Sequence, residues 1–379
     1  MNFQNSSEMK SLKDFKVALI TNWDQSCGIS TYSKFLVDSM LKTNKNIRIF
    51  SEYKTKNDSE TSKENYKDIE VVYCWRRRES IKNLKKEIKQ FNPDAILVQH
   101  EYGIFPTVVH WYNLLTFIQD YPYVVALHSV YEHKDKFLCE SPLRNVIVHT
   151  EEAKELLIKK GYTNSIEVIH HGCPEMNLDK NWNLYQTEHT VIQYGFGFPY
   201  KNFESTIRSI KILIEKYPEI YLTCFFSENK NNINIHDEYY NKLKKIVEEL
   251  EIDDNVGIVR GFISDEGLAE SLKTNKVCVL PYKTHPDHDV RGSSGASKIA
   301  MSFGLPLVVG ECHLFDDLKS IGVPSSDNPE GIAKIIDRYF SDEKFYNEVI
   351  EKQKKFCNDN SWDNISKKYL EYLKKTIQG

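Results

Sequence analysis

The sequence predicts an α/β protein made of two doubly wound parallel sheets, each in its own domain. Three observations lead there. Short β-branched runs alternate with amphipathic stretches along the chain, the pattern of a parallel sheet with helices on both faces. Two runs end at glycine and pass into a helix: FKVALITN (15–22) before Cys27-Gly28-Ile29-Ser30, and VIQYGFGFPYK (191–201). The 379 residues suffice for about two domains.

In the first half, the strand-like runs are KVALI (16–20), AILVQ (95–99), YVVAL (123–127), NVIVH (145–149) and SIEVIH (165–170). Helices are read between them because Ile29, Tyr32, Leu36 and Met40 share one helical face, as do Ile81, Leu84, Ile88 and Phe91. The second half repeats the pattern with VIQYG (191–195), YLTCFF (221–226), NVGIV (255–259), VCVLPY (277–282) and LPLVVG (305–310). Helices are predicted near 203–216, 237–250, 265–274 and 294–303, and the tail from 341 reads as helix with Trp362, Tyr369 and Leu373 as packing residues. Residues 51–68 read as a polar, mobile loop. The Asn-rich stretch at 175–189 marks the domain boundary. The expected limits are a disordered lead-in at 1–14, an N-terminal domain at 15–175, a linker at 176–189, a C-terminal domain at 190–355 and a helix at 356–379 crossing back onto the N-terminal domain.

Bulk properties exclude several classes. The net charge of −4 gives no global attraction to nucleic acid. Apolar runs such as 123–127 and 305–309 are far too short to cross a bilayer. The polar N-terminus lacks a signal-peptide apolar region. Eight cysteines without a C-x-x-C pair argue against a zinc ribbon, and the expected location is a reducing cytoplasm.

The chemistry-bearing residues cluster at predicted strand ends. Gly195 and Gly197 allow a tight turn and close backbone approach, and Lys201 then enters a helix whose amide end favours an anion. Gly292-Ser293-Ser294-Gly295-Ala296 opens another helix with small residues that expose amides, although a Ser N-cap explains it equally well. A diphosphate calls for a second cation, and Arg291 and Lys298 are placed to supply it. His128, His100-Glu101 and His170-His171 each follow a strand, where ligand sites of open α/β sheets lie; three together point to a cleft. His285-x-x-His288, with Asp287 and Asp289, lacks the spacing that would fix a metal, and no metal site is expected. Arg76-Arg77-Arg78 with Lys82, Lys85, Lys86 and Lys89 forms a basic strip, either a solvated face or a contact with a polyanionic acceptor or, weakly and peripherally, with anionic lipid.

In order along the chain, CGISTY (27–32), QHEYGIF (99–105), LHSV (127–130), IHHGCPE (169–175), YGFGFPYKN (194–202), RGF (260–262), LPY (280–282), SSGA (293–296) and FGLP (303–306) resemble the GT-B glycosyltransferases of the retaining family-4, or group 1, type. The resemblance covers about 15 to 375. It implies two Rossmann-like domains, with acceptor mainly on the first and nucleotide sugar mainly on the second. It implies Lys201 on the donor diphosphate, Gly28 near the donor phosphates, His128 near the transferred sugar, and contacts from the SSGA amides. Together these assign His128 and Lys201 as catalytic, Gly28, Gly197, Lys201, Arg291, Ser293, Ser294 and Gly295 to the donor, and His100, Glu101 and His171 to the acceptor or cleft. No metal or cofactor is implied beyond a UDP- or GDP-linked sugar as co-substrate. The family's two glutamates around the SSGA helix align with Arg291 and Ile299, and the arginine before the phosphate lysine aligns with Phe196. The expected activity is hexosyl transfer to a glycan, lipid-linked or other glycoconjugate acceptor in polysaccharide synthesis. A GT-B epimerase and a catalytically inactive binding module are the alternatives.

Overall fold

The computed structural model describes residues 11–25, 27–134, 139, 141–175, 189–228, 233–261, 263–284 and 289–378. The chain forms two compact units, one comprising Met1–His170 with Trp362–Gly379, the other His171–Ser361. The 176–188 stretch and the His285–His288 motif lie outside the described residues.

The first unit is built on an eight-stranded sheet. Its strands are β1 (Val17–Thr21), β2 (Ile47–Glu52), β3 (Ser62–Tyr66), β4 (Ile69–Trp75), β5 (Ala95–His100), β6 (Tyr123–Leu127), β7 (Asn145–Val148) and β8 (Ser165–Val168). They stand in the order β3-β4-β2-β1-β5-β6-β7-β8. Every pairing is parallel except β3 with β4. β1 pairs with both β2 and β5, Val17 lying opposite Ile47 and Ala95. Connections therefore leave β1 in opposite directions, which makes its carboxyl end a switch point.

Alternation along β1 builds two apolar layers. Val17 and Leu19 pack with Tyr32, Leu36 and Met40 of α1 (Gly28–Met40). Ala18 and Ile20 face the layer holding Leu84 and Ile88 of α2 (Lys82–Phe91) and Leu114 and Leu115 of α3 (Val108–Ile118). The helix α4 (Glu151–Lys159) adds Leu156 and Leu157 to the second layer.

The second unit has a five-stranded, wholly parallel sheet of β9 (Thr190–Phe196), β10 (Tyr221–Ser227), β11 (Val256–Arg260), β12 (Val277–Leu280) and β13 (Leu307–Val309), in the order β11-β10-β9-β12-β13. Here β9 is the switch point, Val191 pairing with Leu222 on one side and Val277 on the other. One face is covered by α5 (Phe203–Ile214), α6 (Ile233–Leu250) and α10 (Pro329–Ser341). The other carries α7 (Asp265–Lys273), α8 (Gly295–Ser302), the short α9 (Asp316–Lys319) and part of α11 (Glu343–Asp359).

The last helix, α12 (Trp362–Gln378), returns to the first unit. Trp362, Tyr369 and Leu373 are buried against α1, and the Tyr32 and Tyr369 hydroxyls are 2.8 Å apart. It begins at Trp362 rather than 356, because Phe356 and Cys357 lie in α11 and pack inside the second unit.

Three sequence expectations change. The polar segment 51–68 contains the end of β2 and all of β3, an exposed edge strand whose SKENY sequence has no apolar alternation to betray it. β2 and β4 escaped the sequence reading although both are almost wholly buried. Of the 1–14 lead-in, Leu12 is tied down, since the Asn44 side-chain amide donates to its carbonyl as well as to that of Phe15, the first residue of the expected domain.

Candidate functional site

Lys201 lies just past the switch-point end of β9. It sits in a single 3-10 turn, Pro199–Lys201, not in the helix the sequence suggests; α5 starts at Phe203 after Asn202 in the left-handed region (φ 57°). Asn202 tolerates this because its side-chain amide donates to the carbonyls of Pro281 (3.0 Å) and Asp327 (2.7 Å). The Gln193 side chain donates to the Lys201 carbonyl at 2.8 Å. The turn is thus pinned at both ends while the side chain stays half-buried.

The ammonium rests 3.6 Å from the centroid of the Tyr282 ring and 5.1 Å from that of Tyr200. Among the described residues it has no carboxylate or hydrogen-bond acceptor. Desolvation pushes its pKa down to about 7, with a small opposing influence from Cys312. A cation held by ring faces alone is one that an incoming anion can claim. Gly195, with φ 141°, supplies a backbone conformation that side-chain-bearing residues rarely adopt, and the Lys201 side chain lies 3.9 Å from where its Cβ would be.

The neighbouring Tyr194 hydroxyl donates to the Ala296 carbonyl at 2.5 Å, tying β9 to the first turn of α8. At that helix start, the Ser294 hydroxyl accepts from the Ser297 amide as an N-cap, and the Ser294 amide donates to Leu314. Ser293 donates to Asp317 at 2.9 Å. Both serine hydroxyls are thus used inside the loop, and of the amides expected to meet the donor, that of Ser294 is already bonded to the Leu314 carbonyl. Gly295, the first residue of α8, lies close to His171, whose Nε2 is 3.2 Å from the glycine's Cβ position. His171, expected on the acceptor side, thus belongs to the second unit beside the serine-glycine turn.

Both proposed auxiliary cations are already paired. Arg291 donates to Asp289 at 2.8 Å. Lys298 is fully buried and donates to the equally buried Asp317 at 2.7 Å. Asp317 therefore holds Lys298 and Ser293 together, and Lys298 is an internal strut of the loop. Gly197 also changes meaning. Its amide donates to Ser227, its carbonyl accepts from His236, and a Cβ would lie 1.9 Å from the Phe226 ring. Packing against Phe226 requires glycine there, whatever binds.

In the first unit, Gly28 is the first residue of α1. Among the described residues no side chain caps the helix, its first turn carries no acid, and nothing lies within 4 Å of the Gly28 Cβ position. At the ends of β5 and β6 the histidines divide. His100 is completely buried, and neither ring nitrogen has a partner among the described residues. It stacks on Phe105 (5.7 Å, 10°) and meets Trp111 edge-on, and burial pushes its pKa down to about 3. It is a core residue, not an acceptor contact. Glu101 receives the Gly103 amide and the Ser129 hydroxyl (3.1 Å), so its carboxylate shapes the turn after β5.

His128 is half-buried in a relay the sequence did not reveal. His149 Nδ1 must donate to the Ile169 carbonyl (2.8 Å), so its Nε2 accepts from His128 Nδ1 at 3.2 Å. His128 Nε2 then meets the Gln99 amide at 2.6 Å. Turning that amide so that its nitrogen donates to neutral His128 also gives the otherwise unpartnered Gln99 Nε2 a bond. Both His128 nitrogens are thereby committed. The expectation of a catalytic His128 gains a condition: for its Nε2 to carry a proton, the Gln99 amide must present its oxygen. Gln99 lay inside a quoted motif and His149 ended a predicted strand, yet nothing in one dimension shows that they converge.

The basic strip also divides. Arg76 donates to the Thr55, Lys56 and Asp58 carbonyls, and Arg77 forms a bidentate pair with buried Glu52. Both pin loops. Among the described residues no group of three or more His, Cys, Asp or Glu gathers as a metal would need, and no helix is long and apolar enough to cross a membrane.

Residues 175–356 match the family described as Glycosyl transferases group 1. An uncharacterized glycosyltransferase of Haemophilus influenzae is 24% identical over 236 residues; the match spans 61% of this chain and 61% of that relative. Among solved structures, sucrose-phosphate synthase from Thermosynechococcus elongatus superposes with a TM-score of 0.72 at 14% identity, covering 96% of this chain and 99% of that one. Anabaena Alr3699/HepE in complex with UDP and glucose gives 0.66 at 13%, covering 95% and 99%. A glycosyltransferase from Rickettsia africae gives 0.70 at 14%, covering 96% and 99%. The chain accordingly has the GT-B fold, and most of its carboxyl-terminal unit matches the group 1 glycosyltransferase family.

Proposed function

We propose that the protein transfers a hexose from a nucleoside-diphosphate sugar to a hydroxyl of a glycan or glycoconjugate, with retention at the anomeric carbon. The observation that carries this reading is the Lys201 ammonium, half-buried, unpaired and seated at the switch-point end of the group 1 domain. The solved relative holding UDP and glucose supports a UDP-linked donor.

In this reading the acceptor oxygen bonds to the anomeric carbon as the bond from that carbon to the phosphate oxygen breaks. The nucleoside diphosphate leaves with the electron pair, and the acceptor proton passes to the departing phosphate. With both His128 nitrogens engaged, no side chain is assigned as base. Charge growing on the diphosphate is met by Lys201 and by the positive amino end of α8 at Gly295. A unit charge 4 Å away is worth about 4 kcal/mol at an effective dielectric of 20 before desolvation is subtracted. The nucleotide sugar is the co-substrate and no cofactor enters.

The test is incubation with a panel of UDP- and GDP-sugars, with and without candidate acceptors, read by mass spectrometry. Transfer or slow donor hydrolysis that disappears in Lys201→Ala is expected. UDP binding without turnover would leave only a binding module, and conversion of the donor to a stereoisomer without acceptor would make the protein an epimerase.

A further inference from the structure

A second anion site is built into the first unit. An open concavity of about 610 Å³ lies between the starts of α2 and α3 and is lined by Arg78, Ser80, Lys82, Lys85, Thr107 and His110, among others. Both helices begin just beyond the carboxyl ends of their preceding strands, β4 and β5. Neither has an acidic residue in its first turn; the Ser80 hydroxyl accepts the Lys82 amide at α2 and the Thr107 hydroxyl caps α3 at the His110 amide, so each positive helix end is met by a neutral hydroxyl and by no countercharge of its own. Elsewhere in this unit the corresponding turn of α4 carries Glu151 and Glu152.

The side chains point the same way. Among the described residues, Arg78, Lys82 and Lys85 have no carboxylate partner, whereas Lys45, Lys54, Lys63, Lys67, Arg76 and Arg77 all do. Glu79, the acid in the wall, already faces Arg76 at 3.5 Å. His110 is only 4% exposed, and its Nδ1 accepts the Arg78 amide at 3.4 Å. That leaves a proton on Nε2, a buried donor of a wall residue with no acceptor among the described residues. Burial lowers the His110 pKa, with Glu52 opposing, so the ring serves as a neutral donor.

We propose that this concavity binds a phosphate group carried by the acceptor, through Arg78, Lys82, Lys85, the His110 Nε2–H and the two helix starts. The proposal rests on the transferase reading for the word acceptor, but not for the anion site itself. The phosphate can belong to a soluble sugar phosphate or to a lipid headgroup.

The full-length protein and a Lys82→Ala/Lys85→Ala variant are compared, with Lys354→Ala, on α11 of the second unit, as control. The probes are glucose 6-phosphate and inorganic phosphate by calorimetry, and phosphatidylglycerol against phosphatidylcholine vesicles by sedimentation. Binding that weakens at least tenfold in the double variant, survives in the control and falls with salt is expected, while UDP affinity and melting temperature stay unchanged. Preference for the soluble ester or for the anionic vesicle identifies the phosphate's source. Absence of binding to every probe, or equal binding by the double variant, overturns the site. Phosphate binding in a protein that turns over no donor would sustain the site and refute the transferase reading.

Discussion

The two lysines of the second unit make the most instructive comparison. Lys201 and Lys298 both lie near the serine-glycine turn's supporting elements, and both are shielded from water. Lys298 is buried on a buried carboxylate, so its charge is spent inside the protein. Lys201 is left on the faces of two tyrosines, and the fold disfavours its charge. One ion pair holds a loop in shape; the other cation waits for an anion the protein does not supply. Burial alone does not separate these roles, whereas the partner does.

Substitutions sharpen the contrast. The largest stability effect is expected for Lys298→Met, which leaves Asp317 buried with a single hydroxyl donor and should cost about 3–5 kcal/mol in denaturant unfolding. Adding Asp317→Leu should recover most of that loss; a double variant as unstable as the single one would show that the pair is not the source. Lys201→Ala should unfold normally yet lose about 10²–10³ in turnover, the scale of removing one charge-stabilising donor. If its rate stayed within threefold of wild type, the assignment of Lys201 to the leaving diphosphate would be wrong.

Proton linkage probes the same lysine without substitution. Its folded pKa near 7 lies below its unfolded value of 10.5. Between those values the unfolded chain binds the extra proton, so this group adds stability as pH rises through about 7 to 10, and that contribution has gone once pH has fallen to about 7. A bound diphosphate restores the charge, so UDP binding at pH 8 should take up close to one proton. Calorimetry in buffers of different ionisation enthalpy measures this, and the uptake should vanish in Lys201→Ala.

The two glycine turns give the smaller effects. Gly197→Ala drives a Cβ into the Phe226 ring and should cost about 1–3 kcal/mol, relieved by Phe226→Leu. Gly28→Ala meets open space and should change stability by less than about 0.5 kcal/mol. Any rise in donor KM in Gly28→Ala would then report a ligand close to the backbone. A large loss of stability there would show that the turn is packed more tightly than its geometry indicates.

Much of the architecture was legible from one dimension. Buried parallel strands must be apolar on both faces, so YVVAL and VCVLPY stand out, and glycine followed by helix marks the two switch points. Polar β3 could not be read, because an edge strand needs only backbone pairing. β2 and β4 were missed because IRIFSE and IEVVYCW mix charge into buried runs, with Glu52 matched by an arginine 25 residues away.

At the candidate site, the sequence by itself determined residue chemistry and local order: a lysine after a glycine turn, serines before a small-residue helix, histidines at strand ends. Only the tertiary structure decided which of these groups are already satisfied. Arg291, Lys298, Ser293 and Ser294 found partners within the protein, His100 became core, and Gln99, His128 and His149 closed into a relay, while Lys201 was left unpaired. The reason is physical. A charge or a hydrogen-bonding group is available to a ligand only if nothing nearer in space has claimed it, and nearness in space is set by the fold, not by the spacing of residues along the chain.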